Sequence, residues 1–227
     1  MGSDQARKAA LRRTLLAARA AVPPEEAASA GRRLARRALE LPELAQARTV
    51  AAYVSVGREP GTRELLETLR ARGTAVLLPV LLADGDLDWA EYGGPDGLRP
   101  AGRGLLEPAG PRLGPAAVRA AEAVLLPGLA VDGRGLRLGR GGGSYDRVLA
   151  RLAGEGAPAG GGPAGGVRSG SAPSGGVPAG GAPAGGAPAL VVLLYDGEVL
   201  DHVPAEPHDR PVTAAVTPST VHRFPRP

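Results

Sequence analysis

Apolar residues recur with helical spacing in four segments of the chain. In each segment they fall three or four positions apart, so that they line one face of an α-helix. The clearest case follows the i, i+3, i+4, i+7 pattern with Tyr145, Val148, Leu149 and Leu152. The four predicted helices span residues 4–21, 25–39, 63–72 and 144–152.

Short apolar runs of strand length lie between these predicted helices. The run at 75–81 is apolar throughout, as expected for a strand in a sheet that is buried on both faces. Residues 87–92 alternate instead and contain the single tryptophan, Trp89, which we expect in the core. The six predicted strands span residues 49–56, 75–81, 87–92, 123–127, 190–195 and 212–217. Strands that alternate with amphipathic helices predict an α/β fold, with a mostly parallel sheet and helices on both faces in three layers.

Residues 154–189 differ in composition from the rest of the chain. This segment contains 14 glycines and 6 prolines, and its only charged residues are Glu155 and Arg168. Such a segment has too few apolar side chains to bury a core. We therefore predict a disordered, low-complexity insertion within one α/β domain that spans residues 1–227. Because loop-closure entropy grows only logarithmically with length, the insertion need not unfold the domain.

The glycine loop, residues 139–143, lies between a predicted strand and a predicted helix. Backbone N–H groups at a helix start have no intrahelical partner, and the helix dipole there favours an anion. Glycine lets the backbone approach that anion without a Cβ in the way. Arg137 and Arg140 can add charge-assisted hydrogen bonds to phosphate oxygens. Asp146, in the first helical turn, can supply the carboxylate that a magnesium ion on the phosphates needs. The stretch predicts a phosphate site with its own metal ligand.

Other interpretations of the glycine loop are weaker. The P-loop pattern requires Lys-Ser/Thr after the glycines, and the dinucleotide pattern requires a glycine or alanine where this chain has Ser144. A run of glycines can also form a purely structural turn. The flanking arginines, the Tyr145-Asp146 pair and the helix that follows favour phosphate binding over that alternative.

Composition and charge exclude several classes of protein. Cysteine is absent, which excludes a disulfide framework, a thiol nucleophile and a thiolate metal site. The net charge is only +4, and basic and acidic residues are interspersed, so we do not expect a nucleic-acid partner. No apolar run approaches the roughly 20 residues of a membrane span, and the N-terminus does not have the pattern of a signal peptide. We expect a cytoplasmic monomer that acts on small molecules.

Residues 126–132 and 135–146 resemble the signature of the 5-formyltetrahydrofolate cyclo-ligase family, also called 5,10-methenyltetrahydrofolate synthetases. That signature is roughly a Pro-Gly, a few apolar residues and an Asp, followed by Arg-Leu-Gly-x-Gly-x-Gly-aromatic-Tyr-Asp. This chain departs from it at Ser144, where the family usually has an aromatic residue.

The resemblance also implies roles for residues outside the glycine loop. Lys8 and Arg12 match a Lys-x-x-x-Arg pair that holds ATP on the first helix of the family. Val54 and Glu59 match the segment that binds the folate. Asp209 matches the last residue of a Val-Pro-x-x-x-x-Asp segment, whose aspartate is a second magnesium ligand beside Asp146.

The activity that the resemblance implies is an ATP- and Mg²⁺-dependent ligation. It converts 5-formyltetrahydrofolate to 5,10-methenyltetrahydrofolate, with release of ADP and phosphate, after phosphorylation of the formyl oxygen. The implied catalytic residues are Arg140, Tyr145 and Asp146. The implied ATP-binding residues are Lys8, Arg12, Arg137, Leu138, Gly139, Arg140, Gly141, Gly142, Gly143, Ser144 and Tyr145. The implied folate-binding residues are Val54, Glu59, Arg140, Gly141, Gly142, Gly143 and Ser144.

Two alternatives remain open at the level of the sequence. The first is a non-catalytic relative that binds a nucleotide or a folate, to which the departure at Ser144 points. The second is a different enzyme of similar architecture that acts on a sugar phosphate or a coenzyme A ester.

Overall fold

The computed structural model describes residues 2–154, 187–207 and 209–225. The predicted insertion lies almost entirely outside these residues, so its disorder and the single-domain organisation stay predictions. The helices are α1 (Gly2–Ala20), α2 (Pro24–Ala38), α3 (Pro42–Ala45), α4 (Arg63–Ala71) and α5 (Ser144–Leu152). The strands are β1 (Thr49–Ala51), β2 (Ala75–Leu81), β3 (Leu87–Glu91), β4 (Leu98–Pro100), β5 (Leu106–Pro108), β6 (Ala123–Pro127), β7 (Ala130–Asp132), β8 (Arg137–Leu138), β9 (Ala189–Leu193), β10 (Val199–Leu200), β11 (Ala214–Val216) and β12 (Val221–Arg223).

A seven-stranded sheet forms the centre of the fold, in the order β12-β11-β9-β6-β1-β2-β3. The five inner strands run parallel to one another, and the edge strands β12 and β3 are antiparallel to their neighbours. A small sheet of β10, β7 and β8 and a hairpin of β4 and β5 complete the described strands. The predicted α/β fold with a mostly parallel sheet is confirmed.

Apolar clusters cover both faces of the central sheet, as the three-layer prediction requires. Helices α2, α3 and α4 pack on one face, and α5 packs on the other together with the fully buried Trp89. Helix α1 lies apart from both clusters. It packs its apolar stripe, Leu11 and Leu15, against Leu129 and Leu138 of the small-sheet region. The helix that bears Lys8 and Arg12 is thereby held beside the glycine loop.

Most predicted bounds agree with the structure within two residues, but β1 ends five residues earlier than predicted. Beyond Ala52 the backbone leaves its neighbouring strand and pairs with a side chain. The Thr62 hydroxyl donates to the carbonyl oxygen of Tyr53 at 2.8 Å and accepts from the amide of Ser55 at 2.9 Å. An apolar pattern cannot distinguish this arrangement from a continued strand, because the side chains of Tyr53 and Val54 are buried in either case.

The order of the strands creates a cleft. After β1 the chain proceeds to β2 and β3 on one side, whereas β6 and the later strands lie on the other side. The loops that follow the neighbouring strands β1 and β6 therefore diverge at their carboxyl ends, which is where parallel α/β sheets bind ligands. The start of α5 faces the same end of the sheet.

Two arginines of α5 fix that helix to the turn between β2 and β3. Arg151 Nη2 pairs with Asp86 Oδ2 at 2.6 Å, and Arg147 Nη1 donates to the carbonyl oxygen of Asp84 at 2.6 Å. The helix is thus held at its side as well as through its buried face.

No helix within the described ranges combines the length and apolar character that a membrane span requires.

Candidate functional site

The glycine loop has an open backbone at the start of α5. Gly141 and Gly143 have φ angles of 95° and 76°, in the left-handed region that favours glycine, and Gly143 immediately precedes the helix. Within the described residues, the amides from Arg140 to Ser144 donate no hydrogen bond to another residue. Several N–H groups are consequently available to an anion at a helix N-terminus, as the sequence predicts.

A larger cavity of about 440 Å³ lies on one side of the glycine loop. Its wall is mostly apolar, with a small number of polar groups at the loop side. The lining residues are Tyr53, Val54, Val56, Glu59, Pro79, Leu81, Leu87, Leu105, Leu106, Glu107, Pro127, Gly128, Arg137, Gly139, Arg140, Gly141, Gly142, Gly143, Ser144, Tyr145 and Asp146. Size and composition suit an organic ring system rather than a bare ion.

Glu59 is one of the acidic residues in the wall of the larger cavity. Its Oε1 lies 3.2 Å from Nε of Arg140, and its Oε2 accepts a hydrogen bond of 2.8 Å from the amide of Val56. The Arg140 guanidinium is therefore directed toward the larger cavity and not along the loop. Tyr145 lines the same cavity. Burial, with a further contribution from Glu59, raises the pKa of Tyr145, so its hydroxyl stays protonated at neutral pH.

A smaller cavity of about 180 Å³ lies on the other side of the glycine loop. It is lined by Gln5, Lys8, Arg12, Arg137, Leu138, Gly139, Gly141, Gly143, Asp146, Glu206 and Asp209. Five of these residues also line the larger cavity, so the loop forms a shared wall. Every residue that the sequence analysis assigned to a site borders one cavity or both.

Lys8 lies between two carboxylates in the smaller cavity. Its Nζ is 2.7 Å from Glu206 Oε2 and 2.6 Å from Asp209 Oδ2, and its side chain is only 6% exposed. Burial alone would lower the pKa of Lys8, but the hydrogen bonds with Asp209 and Glu206 outweigh burial and raise it. The ammonium group is thus charged and held at the loop. Arg12 lies next to it, with Nε donating to the Gly139 carbonyl oxygen at 2.9 Å.

Arg137 lines both cavities. Its Nη1 donates to the carbonyl oxygen of Pro127 at 2.8 Å, and its Nη2 lies 3.0 Å from Asp146 Oδ1. Burial lowers the pKa of Arg137, and the charge of Asp146 opposes that effect. The ion pair fixes the first turn of α5 to the end of β6, while Asp146 itself stays 51% exposed at the cavity mouth.

The acidic groups of the site do not form a complete metal site by themselves. Nowhere in the described ranges do three His, Cys, Asp or Glu residues come together in an arrangement that could hold a metal ion. Asp146 and Asp209 do border the same smaller cavity. Such a pair fits Mg²⁺ that takes its other ligands from phosphate oxygens and water.

Several lining residues were missed by the sequence analysis. The apolar ones, among them Pro79, Leu81 and Leu87, lie at strand ends whose proximity depends on the sheet order. Leu105 and Leu106 approach from the β4–β5 hairpin, whose strands of three residues are too short for a detectable pattern. Glu107, to which no chemical role was assigned, accepts a hydrogen bond of 2.9 Å from the Leu81 amide.

Asp132 holds the segment that leads to Asp209. The carboxylate is fully buried and accepts hydrogen bonds from the Arg134 side chain at 2.7 and 3.0 Å. It also accepts from the amides of Arg134, Leu136 and Val203. Burial alone would raise the pKa of Asp132, but these hydrogen bonds outweigh it, so the pKa lies below its ordinary value of 3.8.

The substitution Asp132→Asn should destabilise the fold by about 2–4 kcal/mol, because a buried network loses its charged acceptor. It should also make the free energy of unfolding fall less steeply as the pH is lowered. The contribution of Asp132 is complete above the ordinary pKa of 3.8 and is lost as pH falls through the lowered folded-state pKa. Urea unfolding between pH 3 and pH 7 measures both effects. Asp201→Asn, at an exposed position, is the control, and an unchanged acid slope in Asp132→Asn would contradict the assignment.

Comparisons with known proteins agree with the resemblance seen in the sequence. Residues 4–159 match the model of the 5-formyltetrahydrofolate cyclo-ligase family. A 5-formyltetrahydrofolate cyclo-ligase of Mycolicibacterium smegmatis is 37% identical over 216 residues, which cover 93% of each chain. A 5-formyltetrahydrofolate cyclo-ligase of Escherichia coli is 33% identical over 133 residues, or 58% of this chain and 73% of the other.

Two solved structures share the fold. The NMR structure of Aquifex aeolicus 5,10-methenyltetrahydrofolate synthetase has a TM-score of 0.71 at 24% identity, covering 97% of this chain and 94% of that one. A 5,10-methenyltetrahydrofolate synthetase from Mycoplasma pneumoniae has a TM-score of 0.62 at 16% identity, covering 93% and 98%. Taken with the family model and the curated relatives, they lead to one conclusion: the chain belongs to the 5-formyltetrahydrofolate cyclo-ligase family.

Proposed function

We propose that this protein converts 5-formyltetrahydrofolate to 5,10-methenyltetrahydrofolate with hydrolysis of ATP to ADP and phosphate. The relatives that cover most of the chain are named for this ligase activity. One structural observation supports it best. The glycine loop, with its unpaired amides, forms the common wall of a charged cavity and a mostly apolar cavity.

The two cavities suit two different substrates. Lys8 and Arg12 beside the glycine loop suit the phosphates of ATP, because both side chains supply positive charge next to free amides. The larger cavity suits the reduced pterin ring, with Val54 and Tyr145 in its wall and Glu59 as an acceptor for ring N–H groups. In this arrangement the formyl group and the terminal phosphate meet at the loop.

The reaction requires that a formyl oxygen become a leaving group. Its nucleophilic attack on the γ-phosphorus breaks the bond to the bridging oxygen and releases ADP. N10 then attacks the activated formyl carbon, its proton passes to solvent, and the C–O bond breaks with phosphate as the leaving group. Phosphoryl transfer depends mainly on positioning and charge neutralisation, so the protein needs no nucleophile of its own. That requirement matches a site of cations, amides and carboxylates.

The charged residues divide among three proposed tasks. Lys8, Arg12 and Arg137 neutralise the phosphates, and Arg140 lies between Glu59 and the loop, where it can contact both substrates. Asp146 and Asp209 would hold Mg²⁺, which supplies additional positive charge to the phosphates. Lys8 Nζ lies 2.6 Å from Asp209 Oδ2. With Mg²⁺ and ATP bound, Lys8 would contact a phosphate and Asp209 the cation, so this ion pair would open.

The proposal predicts growth of the methenyl absorbance when the purified protein meets 5-formyltetrahydrofolate, Mg²⁺ and ATP. ADP should accumulate in equal amount, because one phosphoryl transfer accompanies each cyclisation. Omission of ATP or of Mg²⁺ should abolish the signal. If both substrates bind in calorimetry and no absorbance develops, the chain is a non-catalytic relative, the alternative that Ser144 favours. If 5-formyltetrahydrofolate does not bind, the proposed substrate is wrong.

A further inference from the structure

Tyr53 is the one lining residue of the larger cavity, within the described part of the chain, whose side-chain oxygen is buried without a hydrogen-bond partner. The residue is 4% exposed and its ring packs in the main core cluster. A buried hydroxyl without a partner costs stability, so such a group is uncommon unless it serves another purpose. Nothing in the sequence analysis or in the proposed chemistry assigns it one.

Arg19 lies behind the wall of the larger cavity, where it binds the backbone of Gly128. Arg19 donates from Nε and Nη2 to Glu198 and from Nη2 to the carbonyl oxygen of Gly128. Its guanidinium also lies over the Tyr195 ring, 5.7 Å from the ring centre. Arg19 is close enough to Tyr53 to alter the pKa of the phenol electrostatically. The glycine that accepts from Arg19, Gly128, also lines the larger cavity.

The chemistry of the Tyr53 hydroxyl indicates what would satisfy it. Burial, followed by the charge of Glu59, holds the pKa of Tyr53 well above its ordinary value of 10.0, so the hydroxyl remains a donor at neutral pH. A buried donor without an acceptor matches an oxygen of carbonyl type.

The reduced pterin has such an oxygen on its pyrimidinone ring. Its other carbonyl oxygen, that of the formyl group, must face the glycine loop for phosphoryl transfer. Within the pterin part of the substrate, the ring carbonyl is therefore the acceptor that remains for Tyr53, while the benzoyl amide and the carboxylates belong to the tail. Glu59 lines the same cavity and accepts from the ring N–H groups next to that carbonyl. Tyr53 and Glu59 thus contact the acceptor and the donors, respectively, on one edge of the pterin ring.

We propose that Tyr53 is a specificity-determining residue whose hydroxyl binds the ring carbonyl of the reduced folate. This inference rests on the proposed function. The hydroxyl is buried. The ligand therefore reaches it when a side chain that covers it shifts, and the hydrogen bond forms in a site that water does not compete for.

The test is the substitution Tyr53→Phe, which removes one oxygen and keeps the ring. The dissociation constant of 5-formyltetrahydrofolate should rise about tenfold in calorimetry, while the dissociation constant of ATP stays within about twofold of wild type. The melting temperature should stay equal or rise, because an unpaired buried hydroxyl is lost. A hydroxyl that serves only the fold would give a lower melting temperature and unchanged folate binding.

Tyr92→Phe is the matched control. Tyr92 lies in the same core cluster and is similarly buried, but its hydroxyl interacts with Glu67 and it does not line the cavity. Its substitution should leave the affinity for both substrates unchanged.

A folate analogue with a 4-amino group in place of the ring carbonyl adds a second comparison. The dissociation constant of this analogue for Tyr53→Phe should be equal to or lower than that for wild type, because the analogue offers no acceptor at that position.

The outcomes separate this inference from the proposed function. If wild type converts 5-formyltetrahydrofolate and Tyr53→Phe binds it within twofold of wild type, the role of Tyr53 is wrong and the function stands. Equal weakening of both folate ligands, or a lower melting temperature, also overturns the role. If wild type neither binds nor converts 5-formyltetrahydrofolate, both conclusions fall.

Discussion

Replacement of Asp146 by Asn should lower kcat by about a hundredfold or more, because the carboxylate positions positive charge on the transferred phosphoryl group. The melting temperature should change little. The Asp146 side chain is 51% exposed, and exposed ion pairs contribute about 0–1 kcal/mol. Steady-state kinetics with varied Mg²⁺ measures the loss, and circular dichroism during heating measures the fold.

Asp96→Asn provides the control for Asp146→Asn. Asp96 is exposed and borders neither cavity, so the same loss of one charge should leave kcat unchanged. If Asp146→Asn kept the wild-type rate and the same Mg²⁺ dependence, Asp146 would not be the metal ligand that we propose.

The substitution Glu198→Ala should cost about 3–5 kcal/mol of folding free energy, since it leaves a buried guanidinium without its counter-ion. Arg19 and Glu198 are 2% and 8% exposed, and Nε and Nη2 of Arg19 lie 2.6 and 2.8 Å from the two carboxylate oxygens. Glu198 also accepts from the amide of Tyr195. Urea unfolding at pH 7 measures the loss.

Two further variants distinguish the effect of losing the buried ion pair from the general effect of shortening a side chain. The double variant Arg19→Met with Glu198→Leu should recover part of the stability, because it leaves no buried charge unpaired. Glu40→Ala removes a partner of Arg37 on the surface of the protein and should change stability by less than about 0.5 kcal/mol. Equal losses in Glu198→Ala and Glu40→Ala would contradict the importance of burial for this pair.

The sequence predicts the central sheet and the large helices of this protein well. Apolar runs such as 75–81 and the spacing of Val148 and Leu149 correspond directly to buried strands and helix faces. Helix α3 and the small sheets escape prediction, because elements of two to four residues contain too few positions for a period. Their position depends on packing against elements distant in the sequence.

Much of the site is also visible in the sequence, since the glycine loop, Arg137 and Asp146 are contiguous along the chain. The rest depends on tertiary structure. Lys8 pairs with Glu206, which follows it by 198 residues in the chain. Arg19 is buried, although it is a charged residue of a helix whose pattern does not indicate this. The helical pattern of apolar residues does not identify Glu206 as the partner of Lys8, or Glu198 as the partner of Arg19. The unpaired hydroxyl of Tyr53 likewise emerges only when every hydrogen bond around it is known.

The central claim is that the amides of the glycine loop bind the terminal phosphates of ATP. A crystal structure with Mg²⁺ and a non-hydrolysable ATP analogue tests it most directly. We predict phosphate oxygens within about 3.2 Å of the loop nitrogens, with the cation on Asp146 and Asp209. Phosphates bound elsewhere, with the loop amides still unpaired, would contradict the account.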